Sequence, residues 1–107
     1  MFALPPDPDL LKQVLAPLLE DFQYWFERSS KLLQSTQLDF MDAADQQDLL
    51  GRVLEAQQAV QVAQSLLAAT DGQAGVEMTV LMGWHKLVTE CWSLSMQHRS
   101  ENKGSAQ

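Results

Sequence analysis

Cys91 is the single cysteine of this 107-residue chain, and His85 and His98 are its two histidines. A thiol and an imidazole in direct contact would make a nucleophile and its base. On a helix that turns 100° per residue, His85 lies well round the axis from Cys91. His98 lies two turns further on, near the end of the helical pattern, too far for direct proton transfer. Metal binding fails on the same spacing, because Cys91 and His98 can share a face while His85 cannot join them. The chain has no Cys-x-x-Cys, His-Glu-x-x-His or paired-carboxylate helix motif. Glu20-Asp21 and Asp42, Asp45 and Asp48 read as helix-start charges and solvated faces. Gly72, Gly75 and Gly83 have no strand before them and no Lys-Ser or Lys-Thr after them, so no phosphate cradle is expected. The expectation is a protein that is not an enzyme and uses no cofactor or metal.

The informative residues are instead apolar. From Val80 to Met96, Trp84, Val88, Cys91 and Ser95 form the centre of one helical stripe. Leu87 and Leu94 lie on one flank; Leu81, His85, Trp92 and Met96 lie on the other. Two neighbouring helices could cover that whole arc. The alternative reading leaves Trp92 and Met96, with Met78 and an edge contribution from His85, exposed for a partner. Tyr24 is a further candidate, since it points away from the apolar Phe22, Trp25 and Phe26, among Glu20, Glu27, Arg28 and Lys31. The partner-binding candidates are therefore Tyr24, Met78, His85, Trp92 and Met96, with Trp84 assigned to the core.

Three helical segments must position these residues. The first opens at Asp7-Pro8, as N-cap and first helical residue. It carries Leu11, Leu15, Leu18, Phe22, Trp25, Phe26 and Leu33 on one face and ends near 34–37. Pro17 inside it predicts a kink near Val14 or a break and restart. Leu38, Phe40 and Met41 are expected to fold back on the core before Asp42, read as the next N-cap with acidic Asp45 three residues on. The second segment runs to about Ala69, with Leu49, Val53, Ala56, Val60, Ala63 and Leu67 as its seam. Its opposite side, Gln46, Gln47, Gln57, Gln58, Gln61 and Gln64, reads as a solvated face. Thr70-Asp71-Gly72 closes that helix through a left-handed residue. The third begins between Val76 and Trp84, with Gly83 an irregularity or restart, and runs to about His98. Short connections between long amphipathic segments predict an all-α, up-down-up antiparallel three-helix bundle over residues 1–99, with 100–107 as a flexible tail.

Length allows one domain with a modest core and little room for a large internal cavity. Fourteen acids against seven Lys and Arg give a net charge of −7, and residues 1–75 hold eleven acids and four bases. The basic face that nucleic-acid binding requires is lacking. No apolar run approaches the roughly 20 residues needed to span a bilayer. A lone cysteine and an N-terminus without a basic region or secretory-length apolar run point to a reducing cytoplasm.

The segments Leu18-Leu-Glu-Asp-Phe-Gln-Tyr-Trp-Phe-Glu-Arg28, Asp48-Leu-Leu-Gly-Arg-Val53 and Leu81-Met-Gly-Trp-His-Lys-Leu-Val-Thr-Glu-Cys-Trp92 resemble a small cyanobacterial family catalogued as a domain of unknown function (2605). The resemblance covers residues 8–99. It implies a cyanobacterial protein, cytoplasmic or peripheral to the thylakoid, and supplies no catalytic residues. It also implies that proline can stand where Gly83 does. The functional reading is a noncatalytic interaction module, an accessory or regulatory subunit that meets another protein subunit or a second copy of itself. The alternative is a peripheral thylakoid membrane-associated factor, which the negative charge opposes on anionic lipid.

Overall fold

A computed structural model describes the backbone of residues 8–70 and 75–105 and the side chains of residues 12–70 and 75–100. Three helices make up its regular structure: α1 (Pro8–Ser35), α2 (Ala43–Ala69) and α3 (Met78–Ser105). Gln23 Nε2 donates to the Gln57 carbonyl at 3.1 Å, and Gln46 Nε2 donates to the Leu33 carbonyl at 2.9 Å. Rising numbers in α1 thus meet falling numbers in α2. The ring pairs Phe22–Trp84 and Trp25–Trp92, at 6.0 and 5.9 Å, rise together, so α3 runs parallel to α1. This is the expected up-down-up bundle. Helix α1 packs on both others, while α2 and α3 meet each other little.

The core follows the apolar spacing. Leu15, Leu19, Phe22, Phe26 and Leu33 of α1 face Leu49, Val53, Ala56, Val60 and Leu67 of α2 and Trp84, Leu87, Val88, Cys91 and Leu94 of α3. The small Ala56 lets α2 sit close to α1. Phe22 stacks on Phe26 at 6.2 Å and meets Trp84 edge-on, which orients the aromatic centre of the core. Where α2 and α3 do meet, Arg52 forms a bidentate pair with Glu90 at 3.0 and 3.1 Å and also reaches Asp48 at 3.1 Å. All three side chains are partly exposed, so this link orients the helices more than it stabilises them.

Several local expectations are corrected. Of the two outcomes expected at Pro17, a kink near Val14 or a break and restart, the break is absent, and one helix passes through it. Gln13 and Pro17 are both exposed, so the Gln13 carbonyl that Pro17 leaves without an amide donor faces water. No restart occurs at Gly83, where α3 is continuous, and that helix extends to Ser105, beyond the expected end at His98. Asp42 does occupy the N-cap position with extended backbone (φ −64°, ψ 150°), but its side chain makes no capping bond. Asp45 contributes only its negative charge in the first turn. Asp7, Leu11, Asp71 and Gly72 lie outside the residues whose side chains are described. Helix α2 is capped by Thr70, whose N–H and Oγ1 both donate to the Leu66 carbonyl, at 3.0 and 2.7 Å.

The largest correction concerns Gln46, which is buried and does not belong to a solvated glutamine face. Its Nε2 donates to the carbonyls of Leu33 and Thr36, at 2.9 and 2.7 Å. Its Oε1 accepts from the Leu38 N–H at 3.1 Å and from Gln37 Nε2 at 3.3 Å. Helix α1 has no basic residue in its last turn. The Gln46 amide therefore satisfies carbonyls left open where α1 ends, and draws the connector inward. Leu38 is buried as a result, with Phe40 and Met41 packed against the core as expected. Gln57 and Gln64 are half-buried, while Gln47, Gln58 and Gln61 are exposed.

Replacing Gln46 with Ala is expected to cost about 2–4 kcal/mol, because several buried polar groups lose their partner together. Urea unfolding with a loss below about 1 kcal/mol would show that water replaces the amide. A built Cβ at Gly51 or Gly83 meets nothing within 4 Å. Gly51→Ala and Gly83→Ala are each expected to gain about 0.5–1 kcal/mol from reduced chain entropy. A destabilised variant in the same measurement would reveal a contact at that position.

Candidate functional site

Helix α3 has two apolar faces. Its inner face places Trp84, Val88 and Cys91 in the core, with Ser95 half-buried beyond them. The Cys91 thiol is fully buried beside the Ser29 hydroxyl, which is buried with it. Burial pushes the thiol pKa up, and the Ser29 hydroxyl acts in the opposite direction. Neither histidine is among the groups acting on Cys91, and His85 is exposed. A reactive thiolate requires the opposite environment. Among the described residues, no three His, Cys, Asp or Glu side chains gather as metal ligands.

The outer face of α3 carries Met78, Met82, His85, Thr89, Trp92 and Met96, all exposed. Their spacing alternates four and three, so they form one stripe along the helix, the pattern of a coiled-coil seam. Met78, Met82 and Met96 are 68, 63 and 67 % exposed and Trp92 is 41 % exposed. Trp92 stands edge-on to Trp25, and Trp25 stands edge-on to Tyr24 at 5.2 Å. The Arg28 guanidinium lies 5.7 Å from the Trp25 ring centroid and donates to the Tyr24 hydroxyl oxygen at 3.0 Å. An aromatic row thus joins α1 to the stripe at the Trp92 end. Beside α1 an open groove of about 950 Å³ runs along α3 from Met78 to Glu90, with Leu18 and Phe22 of α1 and Leu81, Met82 and His85 of α3 among its walls.

All five partner-binding candidates, Tyr24, Met78, His85, Trp92 and Met96, are exposed. Four share the stripe, and Tyr24 reaches it through Trp25. Sequence reasoning did not include Met82 and Thr89, although they complete the four-three spacing between Met78 and Met96. The groove was not legible in the same way, because it depends on which part of α1 lies beside Leu81. Other exposed apolar residues, such as Val14, Val62 and Leu66, lie on α1 and α2 outside this stripe.

A family model described as "Protein of unknown function (DUF2605)" matches residues 5–100. The chain belongs to this family. No curated protein and no solved structure matches it. For this DUF2605 member, the two apolar faces of α3 are consequently the main structural guide to function.

The Cys91 environment has a consequence for pH dependence. Its folded pKa is raised, so above the ordinary thiol range, near pH ~8.5, the unfolded chain releases the proton first. The stability contribution is complete below that range and is lost as pH rises towards the folded value. Native protein is expected to resist thiol reagents at neutral pH, and Cys91→Ala is expected to flatten the alkaline fall in unfolding free energy. Rapid labelling of folded protein, or an unchanged alkaline slope in the variant, would contradict this account.

Proposed function

We propose that this chain is a noncatalytic protein-protein interaction module, an accessory or regulatory subunit in a cyanobacterial assembly. The observation that supports this most directly is the exposed Met78–Met96 stripe, which continues through Trp92 and Trp25 to Tyr24. Methionine and tryptophan suit this use because they cover much apolar area and adapt to the opposing surface. The proposed location is cytoplasmic, reaching the thylakoid surface only through a protein partner. A peripheral membrane role would place the same stripe in lipid. Within the described residues no helix is long and apolar enough to cross a membrane. The net charge of −7 opposes docking on anionic lipid without a protein receptor.

The test uses Trp92→Ser and a partner purified from the native source. Association is expected to weaken by at least about 2 kcal/mol with helical circular dichroism unchanged, as for an interface anchor. A folded variant that binds with wild-type affinity would remove this face from the proposed function. Flotation with vesicles of native lipid lacking membrane proteins would favour the membrane role instead.

A further inference from the structure

We propose that the occupant of the outer face of α3 is a second copy of this chain, paired antiparallel about a two-fold axis at the level of Leu87. The inference rests on the reading of that face as a docking surface and names its partner. The stripe is symmetric in kind about this centre. Reversing one copy sets Met78 opposite the partner's Met96, Met82 opposite the partner's Trp92, and His85 opposite the partner's Thr89. Methionine sulfur against an indole is a favourable pair, and the polar residues fall together at the middle.

Shape follows the same symmetry. The Trp25–Trp92 pair bridges α1 and α3, and the groove beside Leu18, Phe22 and Leu81 is open. The two-fold operation lays the Trp92 ring of each copy over the part of the groove beside Met82 of the other. An exposed ring and a groove at related positions of one face can meet reciprocally, as an isologous interface requires.

Charge selects the antiparallel arrangement. It brings Glu77 close to level with the partner's Arg99, whereas parallel pairing would set each of these beside its own copy. Residues 78–100 contain Lys86, Glu90 and Arg99 as their only Lys, Arg, Asp or Glu residues, so this face escapes the acid excess of the chain. Two copies can meet here with little like-charge repulsion. The area is also sufficient: the three methionines and Trp92 expose roughly 450 Å² of side chain, at the level of the largest patch on a typical monomer. Both copies together, with His85 and Thr89, offer about 1,000 Å² for burial, the size of a weak, reversible interface.

The full chain is examined by sedimentation equilibrium from about 1 to 500 μM, with circular dichroism as the folding control. A dimer is expected within that range, with its dissociation constant raised at least tenfold by Met82→Ser or Trp92→Ser. Arg99→Glu is expected to weaken the dimer and Glu77→Arg in the same chain to restore it. Nitroxide labels on Ser100→Cys, in a Cys91→Ala background, are expected roughly 40 Å apart from the 1.5 Å helical rise and the interaxial spacing. A parallel dimer would place them within about 20 Å and overturn the arrangement. A dimer unaffected by both seam substitutions, or charge reversals that each weaken it without restoration, would overturn it as well. A chain that stays monomeric throughout the range overturns the second copy alone, because the Trp92→Ser measurement with a native partner still decides whether the face docks another protein.

Discussion

Both α2 and α3 rest on α1, and the structure depends on how that one helix is divided between them. An α-helix offers a limited arc to its neighbours, and α1 spends one side of it on Leu49, Val53 and Val60 and the other on Trp84, Val88 and Cys91. Phe22 stacks on Phe26 and meets Trp84 edge-on, so these rings orient α3 on α1. Because α2 and α3 touch each other little, α3 buries only the stripe that faces α1 and the core. Its second apolar stripe has no helix left to cover it. The exposed face is thus a product of bundle geometry acting on a helix that is apolar on more than one side.

The polar groups that hold this arrangement are few and are placed at junctions. Gln46 closes the end of α1, the connector and the start of α2 with one amide. Arg52 spans α2 and α3 through Glu90, and this hydrogen bond is the largest influence raising its pKa. The two sites differ in consequence because one is buried and the other partly exposed. An unpaired group beside Gln46 would remain dry, whereas Asp48 and Glu90 can return to water.

The seam of α2 was legible because Leu49, Val53, Ala56, Val60 and Leu67 repeat at steps that only a helix places together. The burial of Trp84 and exposure of Trp92 were legible for the same reason, as positions on either side of one stripe. Gln46 was not: its residue type matches its glutamine neighbours, and its burial follows from where the chain reverses. Pro17 was read as a kink or a break and Gly83 as an irregularity or restart from their local preferences, but neither ends its helix, and the Gln13 carbonyl that Pro17 leaves without a donor faces solvent. The exposed stripe of α3 was visible in part through Trp92, Met96 and Met78. Its joining to Tyr24 requires Trp25 as an intermediary on another helix, which periodicity within either segment does not specify.

The unequal attachment of α3 also bears on how the molecule opens. Helices α1 and α2 are held by an extended apolar seam and by Gln46, while α3 is held to α1 and, at Arg52, to α2. This division gives the bundle the form of a helical hairpin with a third helix laid along it, and the native state a graded set of local openings in which α3 is the unit most readily released. A molecule bound to the outer face of α3 in its docked position makes release of that helix costlier without touching α2. Occupancy at the surface is thereby converted into slower amide exchange along the buried side of the same helix.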